Sequence, residues 1–123
     1  MLERRRNIIV EKTELFADRI IRMYQYCIAK TTKQPVELKQ VLRSGTSIGA
    51  NAAEGQYAQT KADFLTKMSI ALKEANETKY WLGRLFTGGS LNEKEFLSMN
   101  NDIEEIISIL VKITGTTKER LQK

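Results

Sequence analysis

The 123-residue chain contains no histidine, one cysteine and one proline. Without histidine it has no side chain that ordinarily titrates near neutrality, and Ser-His-Asp and Cys-His nucleophile systems are excluded. The single Cys27 can close no intramolecular disulfide and build no thiolate zinc site. The Glu-x-x-His di-metal sites of helical bundles fail for the same lack of histidine. One proline, Pro35, leaves long stretches in which a helix can run unbroken. No apolar run approaches the roughly 20 residues of a membrane span. The start Met-Leu-Glu-Arg-Arg-Arg leads into a mixed polar segment and not into the apolar core of a signal peptide. These absences set the expectation: a cytoplasmic protein with no membrane role, no cofactor and no metal, and not an enzyme.

What is present is one domain's worth of chain, 41% apolar and 28% charged, the balance of an ordinary globular protein. The net charge is +5, unevenly spread: residues 1–34 carry eight Lys/Arg against four Asp/Glu, and residues 91–114 carry two against five. A basic first segment and an acidic last one attract each other across a bundle or between subunits. A net charge of this size is also ordinary for solubility.

The most informative stretch is Arg43-Ser-Gly-Thr-Ser-Ile-Gly-Ala-Asn-Ala-Ala-Glu-Gly55. It is crowded with small residues, yet Leu38, Val41, Leu42, Gly45, Ile48, Gly49 and Ala52 follow one face of a helix. Glycine inside a helix costs about 1 kcal/mol relative to alanine, so two on the apolar stripe predict that another backbone comes very close. On a different face, Arg43, Ser47, Asn51 and Glu54 form a polar row.

Four helices are predicted, over about 7–30, 35–54, 61–86 and 92–114, with residues 116–123 as a flexible polar tail. The breaks between them are Thr31–Pro35, Gly55–Thr60 and Thr87-Gly-Gly-Ser90. Gly55 and Gly115 are read as helix stops. Thr60 with Asp63 reads as a capping-box variant, and Asn92 or Ser90 as the cap of the last helix. In that helix Phe96, Met99, Ile103, Ile106, Leu110 and Ile113 step 3, 4, 3, 4, 3, a coiled-coil-like seam. No segment alternates with period two, so no sheet is expected. The expected fold is all-α: an antiparallel up-down-up-down four-helix bundle, 1–115, in a single domain.

The search for chemistry returns polar clusters and no reaction centre. Gly45-Thr-Ser-Ile-Gly49 lacks the Gly-Lys-Ser/Thr ending of a phosphate loop. Glu74 and Glu77 lie one turn apart, with Trp81 a further turn on, and are read as ion-pairing acids. If the second and third helices are antiparallel neighbours, Arg43 meets Glu74 or Glu77. Arg43, Ser47, Asn51, Glu54, Glu74 and Glu77 are then expected to form one polar network at that contact or at a subunit boundary. Possible phosphate contacts are Arg4, Arg5 and Arg6 ahead of the first helix, with Lys12, Arg19 and Arg22 within it. Tyr24, Tyr26, Tyr57 and Tyr80 are too scattered to suggest a common stacking platform.

The stretch Arg43–Gly55, followed by Asp63-Phe64, Ser69-Ile-Ala-Leu-Lys-Glu-Ala-Asn-Glu77 and Tyr80-Trp-Leu82, resembles the four-helix-bundle proteins of the 23S ribosomal RNA intervening-sequence family, also called S23 proteins. The resemblance covers roughly residues 8 to 113. Gly45 stands where many members carry alanine, and Ala52 where many carry a larger aliphatic. The resemblance implies a bacterial bundle that assembles into a closed homopentamer. Related bundles are accessory proteins of diversity-generating retroelements, where a basic pentamer binds nucleic acid and a reverse transcriptase. The expected partners are therefore further copies of the chain and RNA or another nucleic acid, or alternatively a protein recruited by a scaffold.

Overall fold

Three of the four helices begin where a side chain accepts from a first-turn N–H. The computed structural model describes residues 7–122. Helix α1 spans Ile8–Ala29, α2 Val36–Gly55, α3 Lys61–Thr87 and α4 Glu93–Leu121. The Asn7 side chain accepts from the Val10 N–H, and Thr60 accepts from the Asp63 N–H at 3.0 Å. Asn92 and Glu95 form a reciprocal capping box, each side chain accepting the other's backbone N–H. Pro35, lacking an N–H, precedes α2. At the end of α3, Gly89 adopts φ +85°, and the Ser90 N–H donates to the Leu85 carbonyl at 2.9 Å. This turn needs a left-handed residue, and glycine supplies it without strain.

The helices run up-down-up-down. Residues 7, 13 and 20 of α1 meet 56, 49 and 45 of α2, and residues 43, 44 and 54 of α2 meet 77, 78 and 67 of α3. Phe86 of α3 stacks on Phe96 of α4, and Arg19 of α1 reaches Asp102. One core fills the centre, with Phe16, Ile20, Leu38, Ile48, Met68, Leu82, Ile103 and Leu110 fully enclosed. The seam between α1 and α4 is much thinner than the other three.

The small-residue stripe of α2 packs closely on α1, meeting backbone at Gly49 as expected and a side chain at Gly45. A Cβ on Gly49 would stand 3.2 Å from the Thr13 carbonyl oxygen of α1, and one on Gly45 would stand 2.8 Å from the Ile20 side chain. Of the two expected helix stops, Gly55 does end α2, and Gly115 is corrected. Gly55 is the last residue of α2, buried, with a Cβ position only 2.6 Å from the Met68 methyl. Its role is close packing against α3, and Gln56 follows as the cap. Gly115 does not end α4, and residues 116–121 are helical, not a flexible tail. Thr117 is buried and donates its hydroxyl proton to the Ile113 carbonyl at 2.7 Å. Lys118 and Arg120 lie in the last turn, where they oppose the negative end of the helix dipole. Among the described residues, no helix is long and apolar enough to cross a membrane.

These two kinds of helical glycine respond oppositely to substitution. Gly49→Val should lose about 1–3 kcal/mol, because its methyls meet backbone that cannot rotate away. Gly115→Ala, where nothing lies within 4 Å of the added carbon, should gain up to about 1 kcal/mol. Urea denaturation of both variants measures the two signs.

Candidate functional site

Two polar regions stand out, one on the α2–α3 seam and one on the α1–α4 seam. On the first, Arg43 fans out over three partners. Its Nε donates to Gln40 Oε1 at 3.3 Å, one terminal nitrogen donates to Glu74 Oε1 at 3.2 Å, and the other donates to Glu77 Oε2. Glu77 Oε2 also accepts the Trp81 indole N–H at 3.0 Å. The guanidinium therefore bridges two carboxylates one helical turn apart. Just inward, Thr78 Oγ1 hydrogen-bonds Ser44 Oγ at 2.9 Å, with both residues fully buried. This buried hydroxyl pair was missed from sequence, since serine and threonine in a helix carry no pattern that announces a partner on another helix.

The single network expected from sequence is divided. Ser47 donates to the Arg43 carbonyl at 2.9 Å and Asn51 to the Ser47 carbonyl at 2.9 Å, so both are spent on their own helix. Glu54 sits at the far end and pairs with Lys67 at 2.7 Å. The Arg43 side chain is 50% exposed while Glu74 is 14% exposed. The cluster is thus a half-covered clamp and not a fully buried pair.

On the second seam, the basic α1 and acidic α4 do attract each other. Lys12 pairs with Glu105 at 3.1 Å. Arg19 pairs with Asp102 and donates to Ser98 Oγ at 2.9 Å. Lys79 of α3 takes Glu104 at 3.4 Å. Two of the proposed phosphate contacts, Lys12 and Arg19, are therefore engaged within the bundle. The third on α1, Arg22, is exposed and lines an open groove of about 530 Å³ between α1 and α4. Arg4, Arg5 and Arg6 lie outside the described residues. Beneath this region Cys27 is buried, its thiol 3.7 Å from the Ser90 carbonyl. Burial pushes its pKa up, which keeps it protonated and unreactive.

An open aromatic surface lies at the same end of the bundle, on the α2–α3 side. Tyr80 packs edge-on against Trp81, with ring centroids 4.9 Å apart, and Arg84 lies over the Tyr80 ring at 5.6 Å. Val36 and Glu37 border it.

A four-helix bundle with a tight glycine-lined α1–α2 contact, an Arg–Glu–Trp clamp on α2–α3 and a charged α1–α4 seam defines the class. The family model described as 23S rRNA-intervening sequence protein matches residues 5–112, and the chain belongs to that family. It is also similar to the crystal structure of a protein of unknown function from the S23 ribosomal protein family of Bacteroides thetaiotaomicron. The two share 45% identity and a TM-score of 0.81, over 86% of this chain and 97% of the other. No match is found among curated proteins.

The clamp gives a measurable expectation. Arg43→Ala should lose about 1–2 kcal/mol, between the values of an exposed and a buried pair. Glu77→Gln, which weakens the charge-assisted acceptor of the indole, should shift Trp81 fluorescence with a smaller stability loss. Unchanged emission and unchanged melting in both variants would remove the clamp as a structural feature.

Proposed function

We propose that the protein is a non-enzymatic, oligomeric RNA-binding module. The carrying observation is how the bundle distributes its charge. Of the acids that make residues 91–114 negative, Asp102, Glu104 and Glu105 are matched by Arg19, Lys79 and Lys12 inside one copy. Glu95 is held by the Asn92 backbone N–H at the start of α4. Arg22 and Lys94 face the groove with no ion-pair partner among the described residues. The excess positive charge is thus turned to solvent, where phosphates can reach it.

Assembly strengthens this field. Five copies, the number implied by family resemblance, carry about +25 from +5 each. Repeated weak phosphate contacts then act together. The basic N-terminal arm, Arg4 to Arg6, adds to the same sign. The family's description as a 23S rRNA-intervening sequence protein makes structured RNA the first ligand to test.

A second reading is a scaffold that recruits a protein, with no direct nucleic-acid role. The Tyr80–Trp81–Arg84 surface favours it, since tyrosine, tryptophan and arginine dominate interface hot spots.

Light scattering should give a solution mass about five times the 14.1 kDa chain, and a monomer mass would remove the assembly. RNA affinity should fall steeply with salt, with a log–log slope of about −0.7 to −0.9 per phosphate contacted. Replacing Arg4, Arg5 and Arg6 with alanine should flatten that slope. Absence of RNA binding at physiological salt, together with a co-purifying protein lost on Trp81→Ala, would favour the scaffold.

A further inference from the structure

We propose that the groove between α1 and α4 is a nucleotide site, built to take one unstacked base together with its phosphate. The inference rests on the RNA-binding reading above and names what part of the RNA is held there. The floor is apolar, formed by buried Met23, Leu91 and Met99. Tyr26 stands at the rim, 52% exposed, with the Lys30 ammonium 4.1 Å from its ring centre. Arg22 and Lys94 border the same space from opposite helices.

The volume, about 530 Å³, is that of a small-molecule pocket. The groove's lining carries one acid, Glu95, which accepts the Asn92 backbone N–H at the start of α4, and Asp102, paired with Arg19, lies beyond it. What remains is an apolar floor, an aromatic edge and two unspent cations. That combination fits a flat apolar ring carrying a negative group. Every base has such a face, and stacking on an aromatic side chain tolerates any sequence. Two polarisable thioethers adapt to rings of different size.

Length separates this occupant from a docked helix. The open part spans residues 19–26 of α1 and 94–99 of α4, with Leu91 just ahead of α4, about 10 Å along the helices. Beyond it the Arg19–Asp102 and Lys12–Glu105 pairs cross from helix to helix, and the remaining space shrinks to about 130 Å³. A partner helix of several turns would have to break both pairs, whereas one or two nucleotides need break neither.

The test uses the whole protein with methyl-labelled methionine. The probes are adenosine and uridine monophosphates, an unpaired RNA oligonucleotide, its duplex, and an acidic amphipathic peptide of glutamate and leucine. Unpaired RNA should shift the Met23 and Met99 methyl signals and leave Met68, buried against α2, unmoved. Tyr26→Ala should weaken unpaired RNA about tenfold and leave the duplex unchanged. Arg22→Ala with Lys94→Ala should also weaken unpaired RNA, whereas Lys73→Ala on α3 should not. Salt-dependent RNA binding with silent Met23 and Met99 signals would overturn the pocket and leave the RNA-binding reading intact. Shifts from the monophosphates without any RNA affinity would keep the pocket, assign it to free nucleotides, and sink the RNA-binding reading. A response to the peptide alone would overturn the nucleotide assignment.

Discussion

The architecture depends on how closely α2 can approach its neighbours. A Cβ on Gly49 would press on the Thr13 carbonyl, one on Gly45 on Ile20, and one on Gly55 on Met68. These contacts lie on two sides of one helix, so α2 is drawn against both α1 and α3. Close approach adds dispersion contact along the whole length of a helix pair, and it offsets what the helical glycines cost in backbone freedom. The other side of the bundle has no such device. There α1 and α4 are joined by a thin seam and spanned by long charged side chains. The bundle thus has three closely packed seams and one bridged seam, and the groove lies along the bridged one.

Electrostatics completes what packing leaves open. The charge opposition of α1 and α4 holds the looser seam at moderate cost, because the pairs are partly solvated and need not repay full desolvation. Satisfying the acids in this way also leaves Arg22 and Lys94 as the groove's uncommitted charges. The same arrangement that closes the bundle therefore gives its surface a sign.

Much of this was legible in the chain itself. Helical periodicity and the breaks at Pro35, Thr60 and Gly88–Gly89 locate four helices, and glycine on an apolar stripe has few explanations other than close packing. The meeting of Arg43 with Glu74 and Glu77 follows from an antiparallel pairing of α2 and α3. The end of α2 at Gly55 is legible from local propensity, whereas Gly115 misleads, because α4 continues past it with Thr117 buried. Ser47 and Asn51 lie on the same polar row as Arg43, yet a row on one helix does not reveal what the opposite helix presents at each level. The groove was the least legible feature. It arises from the separation of the first and last helices, and no local pattern encodes that distance.

The α2–α3 contacts carry a further implication about register. Arg43 to Glu77, Ser44 to Thr78 and Glu54 to Lys67 are successive rungs of one antiparallel pairing. The Gly55–Met68 contact lies in step with them. Apolar side chains alone would tolerate a slide of one turn, since a leucine or alanine finds a similar neighbour one turn away. The polar rungs would not. A slide would part the buried Ser44 hydroxyl from Thr78, which keeps its bond to the Glu74 carbonyl, and would move Met68 away from Gly55. Buried polar groups are costly when unmatched, so these residues act chiefly by penalising alternatives. The half-exposed Arg43 clamp contributes modestly to stability, and its larger effect is to hold Trp81 in one orientation beside Tyr80. Register on α2–α3 thus sets the shape of the aromatic surface, as spacing on α1–α4 sets the shape of the groove.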